Sequence, residues 1–358
     1  MAKFFNQLEP QSLVNAFLKH PPQDFELCVD EEIPAFKMQF NLLTTLDSQL
    51  KKKIENIYKY QQWKKLLTFS TCFMGTTVTE YTPLSATKDV VESVQLFKKM
   101  GSEQSLTIIK DLPLYSPLLS DVENKYSQDL IQYAQQQGFF AVEGQALAYV
   151  PLDFSNREEY LSRLSKSRRK NLKRKLKSLE QLRVEWVNTG AEKFQDAEFR
   201  QYLYSLYFAV YQQSEIHFDL LTYDFFNTIL LDAESGGRVA LYWFDDQLVG
   251  YNICYEYNEN LIDKYIGFNY ELAIKFNLYF VSWFVNLDYA LERNLKYYIA
   301  GWTDPEVKAQ LGAQFTFTMH LIWIRKPILR SLLKPLKHFF EADANWHKKN
   351  EKEEQGLK

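Results

Sequence analysis

The stretch 238–301 decides the fold. It reads RVALYWF (238–244), then Asp245-Asp246-Gln247, LVGYNICYEYN (248–258), Glu259-Asn260 and LIDKYIGFN (261–269). ELAIKFN (271–277), LYFVSWFVNLDYALERN (278–294) and LKYYIAG (295–301) follow. Three runs rich in β-branched and aromatic residues, separated by short polar turns, predict an antiparallel meander. Ile274, Leu278, Val281, Phe284, Val285, Asp288 and Leu291 recur at three and four residues, which predicts an amphipathic helix with Asn277 as its N-cap. The run 295–300 then returns as a strand beside the third.

Outward from this stretch, 358 residues suit two domains, and 46% apolar with 24% charged residues is the composition of a globular chain. Cys28, Cys72 and Cys254 are odd in number and far apart, so no disulfide framework is implied and a reducing compartment fits. There is no Cys/His cluster with zinc spacing, so no metal is expected. No signal-peptide core or spanning apolar run is present, and the chain reads as a cytoplasmic protein. The net charge of −3 hides an asymmetry: residues 163–177 hold nine Lys/Arg and no acid. One basic stripe on an acidic body is a local device for phosphates, of tRNA, of a nucleotide-linked or carrier-bound substrate or of a lipid headgroup, or else a solvated helix face.

The first half is less legible. Helical spacing appears over 12–18, 47–67, 88–100 and 127–137, and strand composition over 25–40, 66–81 and 105–113. FFAVEGQALAYVPL (139–152) reads as a hairpin around Glu143-Gly144. This repeats the general order of the second half with no residue-level repeat. The joint is placed at 152–158, giving domains 1–151 and 152–325. The segment 326–358 is a basic amphipathic stretch, interrupted by Pro327 and Pro335, and a frayed tail.

The order meander, crossover helix, parallel strand resembles the core of the GNAT acyltransferase superfamily. REEYLSRLSKSRRKNLKRKLK (157–177) is similar to the Leu/Lys/Arg/Asn segment that opens the second domain of its FemAB-like and BioF2-like branch. GWTDPEVKAQLGAQF (301–315) resembles the Gly–Lys–Gly-Ala segment of that branch. The resemblance implies a mixed α/β (α+β) GNAT fold, in two tandem GNAT-like domains, the first degenerate. It implies an N-acyltransferase that moves an acyl or aminoacyl group from an activated donor to an amine by direct attack. The donors it implies are acyl-CoA, an acyl-carrier protein or aminoacyl-tRNA. Two other functions stay open: a non-catalytic binding protein on this scaffold, and a peripheral membrane enzyme modifying a lipid or peptidoglycan precursor.

For the site, a register with Tyr257 facing Leu261 puts Asp263 opposite Tyr255, with Tyr251 and Tyr265 on the same face. An Asp among tyrosines is suited to take a proton from an incoming amine. Glu256 takes that role if the register slips by one; otherwise it pairs with Lys264 on a diagonal. Tyr265 or Tyr279 is the expected donor to the leaving group, and a backbone N–H near 267–269 the oxyanion partner. The strand-to-helix loop has no glycine after Gly267, unlike the pyrophosphate cradle of GNATs that bind coenzyme A. Asn269, Lys275 and Asn277 are the remaining anion-binding candidates there, with Arg168, Arg169 and Lys173 on the basic helix and Lys308 beyond it. Tyr251, Tyr255, Tyr279 and His217 complete the expected substrate pocket. His217 and His320 are the histidines expected inside ordered elements.

Overall fold

A computed structural model describes residues 4–28, 33–45, 48–214, 217–326, 328 and 330–331. Within them the strands are β1 (Phe4–Phe5), β2 (Glu26–Leu27), β3 (Ala35–Asn41), β4 (Thr68–Met74), β5 (Leu84–Ser85), β6 (Leu106–Tyr115), β7 (Phe140–Pro151), β8 (Arg183–Asn188), β9 (Gly237–Phe244), β10 (Gln247–Tyr257), β11 (Asn260–Phe268), β12 (Tyr297–Gly301) and β13 (Gln314–Ile324). β1 and β5 form a small ribbon. The rest make one mixed sheet in the order β2-β3-β4-β6-β13-β7-β12-β11-β10-β9-β8.

The expected meander is β9-β10-β11. Asn258 and Glu259 both take left-handed φ, 47° and 62°, so the β10–β11 turn carries the twist that tight hairpins favour. β12 pairs parallel to β11 over Asn260–Ile262 and Tyr297–Ile299. The connection between them is two helices, Tyr270–Lys275 and Leu278–Glu292. The single predicted helix breaks because Asn277 sits at φ 52°, where a side-chain amide is better tolerated than a branched residue. Asn277 makes no cap bond; its Nδ2 donates to Ser178 Oγ at 3.3 Å.

The first half repeats the order. β3 and β4 are antiparallel, the helix Val90–Met100 crosses over, β6 lies parallel to β4, and the helix Asp121–Gln136 leads into β7. The second half runs β10, β11, the two helices, β12, the helix Pro305–Leu311 and β13. Each last strand then crosses over. β7 pairs with β12 of the second half, β13 with β6 of the first, and the two lie antiparallel at the centre. The sheet therefore runs through the joint expected at 151/152.

The hairpin expected around Glu143-Gly144 is instead the unbroken strand β7. Gly144 serves close approach and not a turn: a Cβ there would lie 2.3 Å from Thr318 Oγ1 on β13. The segment expected to be basic and amphipathic at 326–358 lies almost wholly outside the described residues. Among those residues, no helix is long and apolar enough to cross a membrane.

Candidate functional site

The site begins where parallel strands part. β11 and β12 pair only as far as Ile262 and Ile299. From Asp263 and Ala300 onward they diverge, and buried carbonyl groups on β12 lose their strand partners. Lys308, 6% exposed, supplies the missing donors: its Nζ donates to Ala300 O at 2.8 Å, to Gly301 O at 3.1 Å and to Trp302 O. The lysine expected to bind an anion thus spends its protons on backbone and props the strands apart.

The opening leads into a cavity of about 600 Å³. Asn252, Asp263, Tyr279, Ser282, Tyr298 and Lys308 line its end in the second half. A wall from the first half, including Phe40, Phe73, Leu106, Ile108 and Phe140, is apolar, with Phe218 and Ile322 closing on it. Between them lies a belt of charge: Glu80, Lys110, Asp111, Asp219, Lys264 and His320.

The register inside the meander is the expected one as far as Ile253 with Tyr265 and slips by one residue from there to the turn. Glu256 faces Leu261, Tyr255 faces Ile262 and Cys254 faces Asp263; the pairing then jumps to Ile253 with Tyr265. Lys264 is the extra residue of a bulge, which rotates Asp263 away from Tyr251 and Tyr255. Asp263 joins Asn252 and Cys254 instead. Its carboxylate accepts from Asn252 Nδ2 at 3.2 Å, Asn286 Nδ2 at 3.1 Å and Tyr298 Oη at 2.9 Å. Burial raises its pKa, against the pull of those donors and of Lys308.

Glu256 lies outside the cavity. It accepts from Tyr289 Oη at 2.9 Å and pairs with Arg293 at 3.0 Å and Arg238 at 3.6 Å. Its expected partner Lys264 turns inward to Glu80 and Glu9. Tyr251 and Tyr255 are buried in the core and absent from the cavity wall, with Tyr251 Oη donating to Leu203 O at 3.0 Å. Tyr265 and Tyr279 do line it. Tyr265 is packed on Phe225 and Phe226, and its Oη has no partner among the described residues. His217 is exposed beside the cavity and bonds Tyr211 O at 2.8 Å.

The expected anion binders are scattered. Arg168, Arg169 and Lys173 stand on the exposed helix Lys166–Leu176, where Lys173 pairs with Glu158 at 2.6 Å. Asn269 caps the helix Tyr270–Lys275 through its own side chain, and its N–H donates to Val249 O at 3.0 Å, so it is not the expected oxyanion partner. Lys275 lies 4.6 Å over the Phe244 ring and 4.9 Å over Phe276.

In the charged belt His320 is named from the sequence, whereas Asp219, Lys110 and Asp111 are not singled out there. Asp219 is half-buried on the cavity wall. Burial pushes its carboxyl up to about 6, against Thr77 and the ammonium groups of Lys110 and Lys264. His320 Nδ1 accepts the Asp111 N–H at 3.0 Å, which fixes the neutral tautomer with the proton on Nε2, and burial lowers its pKa. Charge inside apolar strands was the available signal: Lys110-Asp111 interrupts LTIIKDLP, and Lys264 interrupts LIDKYIGF.

No curated protein matches this sequence. Among solved structures, FemX superposes with a TM-score of 0.53 at 11% identity, over 93% of this chain and 96% of FemX. L-PGS from Bacillus licheniformis superposes with a TM-score of 0.52 at 8% identity, over 94% of this chain and 98% of that one. These likenesses establish the tandem GNAT-like fold. Residues 87–356 match the family described as FemAB-like, peptidoglycan biosynthesis/recognition, and the chain therefore belongs to the FemAB-like family.

Proposed function

We propose that the protein transfers an aminoacyl group from an aminoacyl-tRNA to the amine of a peptidoglycan precursor, by direct attack inside the cavity. The observation that carries this reading is the parting of β11 and β12 at Asp263 onto a cavity whose wall holds a half-buried carboxylate, Asp219. The nitrogen attacks the ester carbonyl carbon, the C–O bond to the ribose breaks, and the ribose oxygen leaves with a proton. Asp219, ionised at neutral pH yet basic enough to accept a proton, takes the one the nitrogen loses. Asp263, bonded by the side chains of Tyr298, Asn252, Asn286 and Cys254, holds them in place around the opening. Tyr279 returns a proton to the leaving oxygen, and N–H groups on the freed edge of β11 meet the oxyanion.

A coenzyme A thioester fits less well. The loop has no glycine to let backbone approach a pyrophosphate, Asn269 caps the following helix, and Lys275 is held over two phenylalanine rings. The exposed basic helix Lys166–Leu176 suits the phosphates of a tRNA acceptor stem. The test supplies purified protein with a pentapeptide precursor bearing a free lysine amine and either radiolabelled aminoacyl-tRNA or radiolabelled acetyl-CoA. Label is expected to reach the precursor from tRNA alone. Transfer from the thioester and none from tRNA overturns the reading.

A further inference from the structure

The cluster around Lys264 is short of positive charge. Lys264 Nζ lies 2.6 Å from Glu80 Oε1 and 3.4 Å from Glu9 Oε1, and Glu9 Oε1 also accepts the Glu80 N–H at 2.7 Å. Glu9 and Glu80 are 0% and 1% exposed. Among the described residues, the second oxygen of each, Oε2, has no hydrogen-bond partner, nor has Tyr265 Oη. Glu80, Lys264 and Tyr265 all form part of the cavity wall, and Asp219 lies close enough for Lys264 to lower its pKa.

The other nearby cations are engaged elsewhere, although Lys110 also draws on Asp219. Lys110 pairs with Asp111, and Lys308 donates to three carbonyl groups. Two buried carboxylates therefore share one ammonium, with a third carboxylate beside them. Buried charge that is neither paired nor fully hydrogen-bonded is expensive, and unpartnered buried acceptors add to the penalty. Burial answers part of it by pushing Glu9 up to about 7. That proton neutralises one carboxylate and leaves the acceptors on Glu80 and Tyr265 unmet.

We propose that the wall formed by Glu80, Tyr265 and Asp219 is a subsite for a primary ammonium group of the substrate. Such a group brings three donors and one positive charge, which is what the cluster lacks. Phe73, Ile108 and Phe218 beside it give an apolar surface for the carbon chain that carries the nitrogen. A carboxylate or phosphate at this position would meet like charge. This subsite rests on the cavity being the transfer site, since the ammonium then belongs to a reactant: the acceptor amine, or the α-ammonium of an aminoacyl donor.

Isothermal titration of the full chain with n-hexylamine, 1-hexanol, hexanoate and leucinamide tests it. n-Hexylamine is expected to bind at least about tenfold tighter than 1-hexanol, and hexanoate no tighter than 1-hexanol. Glu80→Gln is expected to bring amine and alcohol within about threefold of each other. Leucinamide binding tighter than n-hexylamine assigns the ammonium to the donor, and the reverse order assigns it to the acceptor. Equal affinity of amine and alcohol for the unmodified protein overturns the subsite whether or not the variant folds, as does a folded Glu80→Gln protein that keeps the full preference. Amine preference without transfer from tRNA leaves the subsite standing and removes the transfer reading. Transfer without amine preference does the opposite.

Discussion

The first half of the sheet stitches its parted strands together with its own chain, whereas the second half holds its strands apart with one lysine. Both openings occur at the same step of the same topology. β4 and β6 pair as far as Met74 and Ile109, and β11 and β12 as far as Ile262 and Ile299. The residue two places further on is left-handed in each: Asp111 at φ 49° and Gly301 at φ 75°. In the first half, Thr82 then folds back. Its N–H donates to Asp111 O at 3.1 Å and its hydroxyl to Lys110 O, while Lys110 Nζ donates to Thr76 O at 3.1 Å. Thr82 also fills the gap, since a Cβ on Gly75 would lie 2.7 Å from its oxygen. In the second half the same duty falls to Lys308, reaching in from the helix Pro305–Leu311, and a Cβ on Gly301 would find nothing closer than 3.6 Å. Freed backbone must be satisfied in both places. Satisfying it with chain fills the opening, and satisfying it with a single distant side chain leaves room for a substrate.

The largest expected effect is on turnover. Asp219→Asn should lower kcat about 10²–10⁴-fold, the usual contribution of a general base, with little change in melting temperature. Because the carboxylate must be ionised to accept a proton, turnover of the unmodified protein should fall as pH drops through about 6. Thr82→Val, in the stitched opening, should leave kcat nearly unchanged. Equal losses from the two variants would put the first opening inside the catalytic site and erase the distinction.

Stability should show the next largest contrast, in the same sense. Lys308→Met orphans two buried carbonyl groups and the half-buried one of Trp302, and should lower unfolding free energy by about 3 kcal/mol or more. Thr82→Val removes one hydroxyl donor while keeping the backbone bond to Asp111, which should amount to about 1 kcal/mol. Urea denaturation of the two proteins separates the values. Matching losses would mean that the second opening is not held by its lysine.

The same asymmetry explains what was legible in the sequence. The second half could be read because alternation, tight turns and a three-four helix repeat are local signals, and its parallel strand follows from them. The first half hid its plan in long-range pairing. Glu143-Gly144 has turn chemistry, yet Gly144 lies inside β7 because Thr318 of β13 crowds it, a neighbour 174 residues away in sequence. Asp263, Tyr265, Tyr279 and Lys308 could be named from position in the meander and beyond it, and all four line the cavity. The surroundings of Asp263 could not, because the bulge at Lys264 puts it opposite Cys254 and not Tyr255. Asp219 comes from an irregular segment, and Glu80 lies beyond the end of β4 at Met74 in a run with strand composition throughout, so neither could be placed. Only the folded sheet brings them beside Lys264.

The last expected effect tests how the halves are joined. Glu9 and Glu80 belong to the first half and Lys264 to the second. Burial raises the folded pKa of Glu9 from 4.5 to about 7, opposed by Lys264 and reinforced by Glu80. The folded state therefore binds a proton more tightly than the unfolded chain does. Its contribution to stability is fully present below pH about 4.5 and is lost as pH rises through about 7. Glu9→Gln removes that dependence, so the variant should gain on the unmodified protein by about 2 kcal/mol between pH 5 and pH 8. Urea denaturation of both proteins at each pH measures the difference. A difference that stays constant with pH would mean that Glu9 is ionised throughout. The two halves would then be held across a full excess negative charge, with apolar packing alone to offset it. In that case the stitched and the propped opening would owe their shared cavity to the hydrophobic core and not to the buried ion cluster between them.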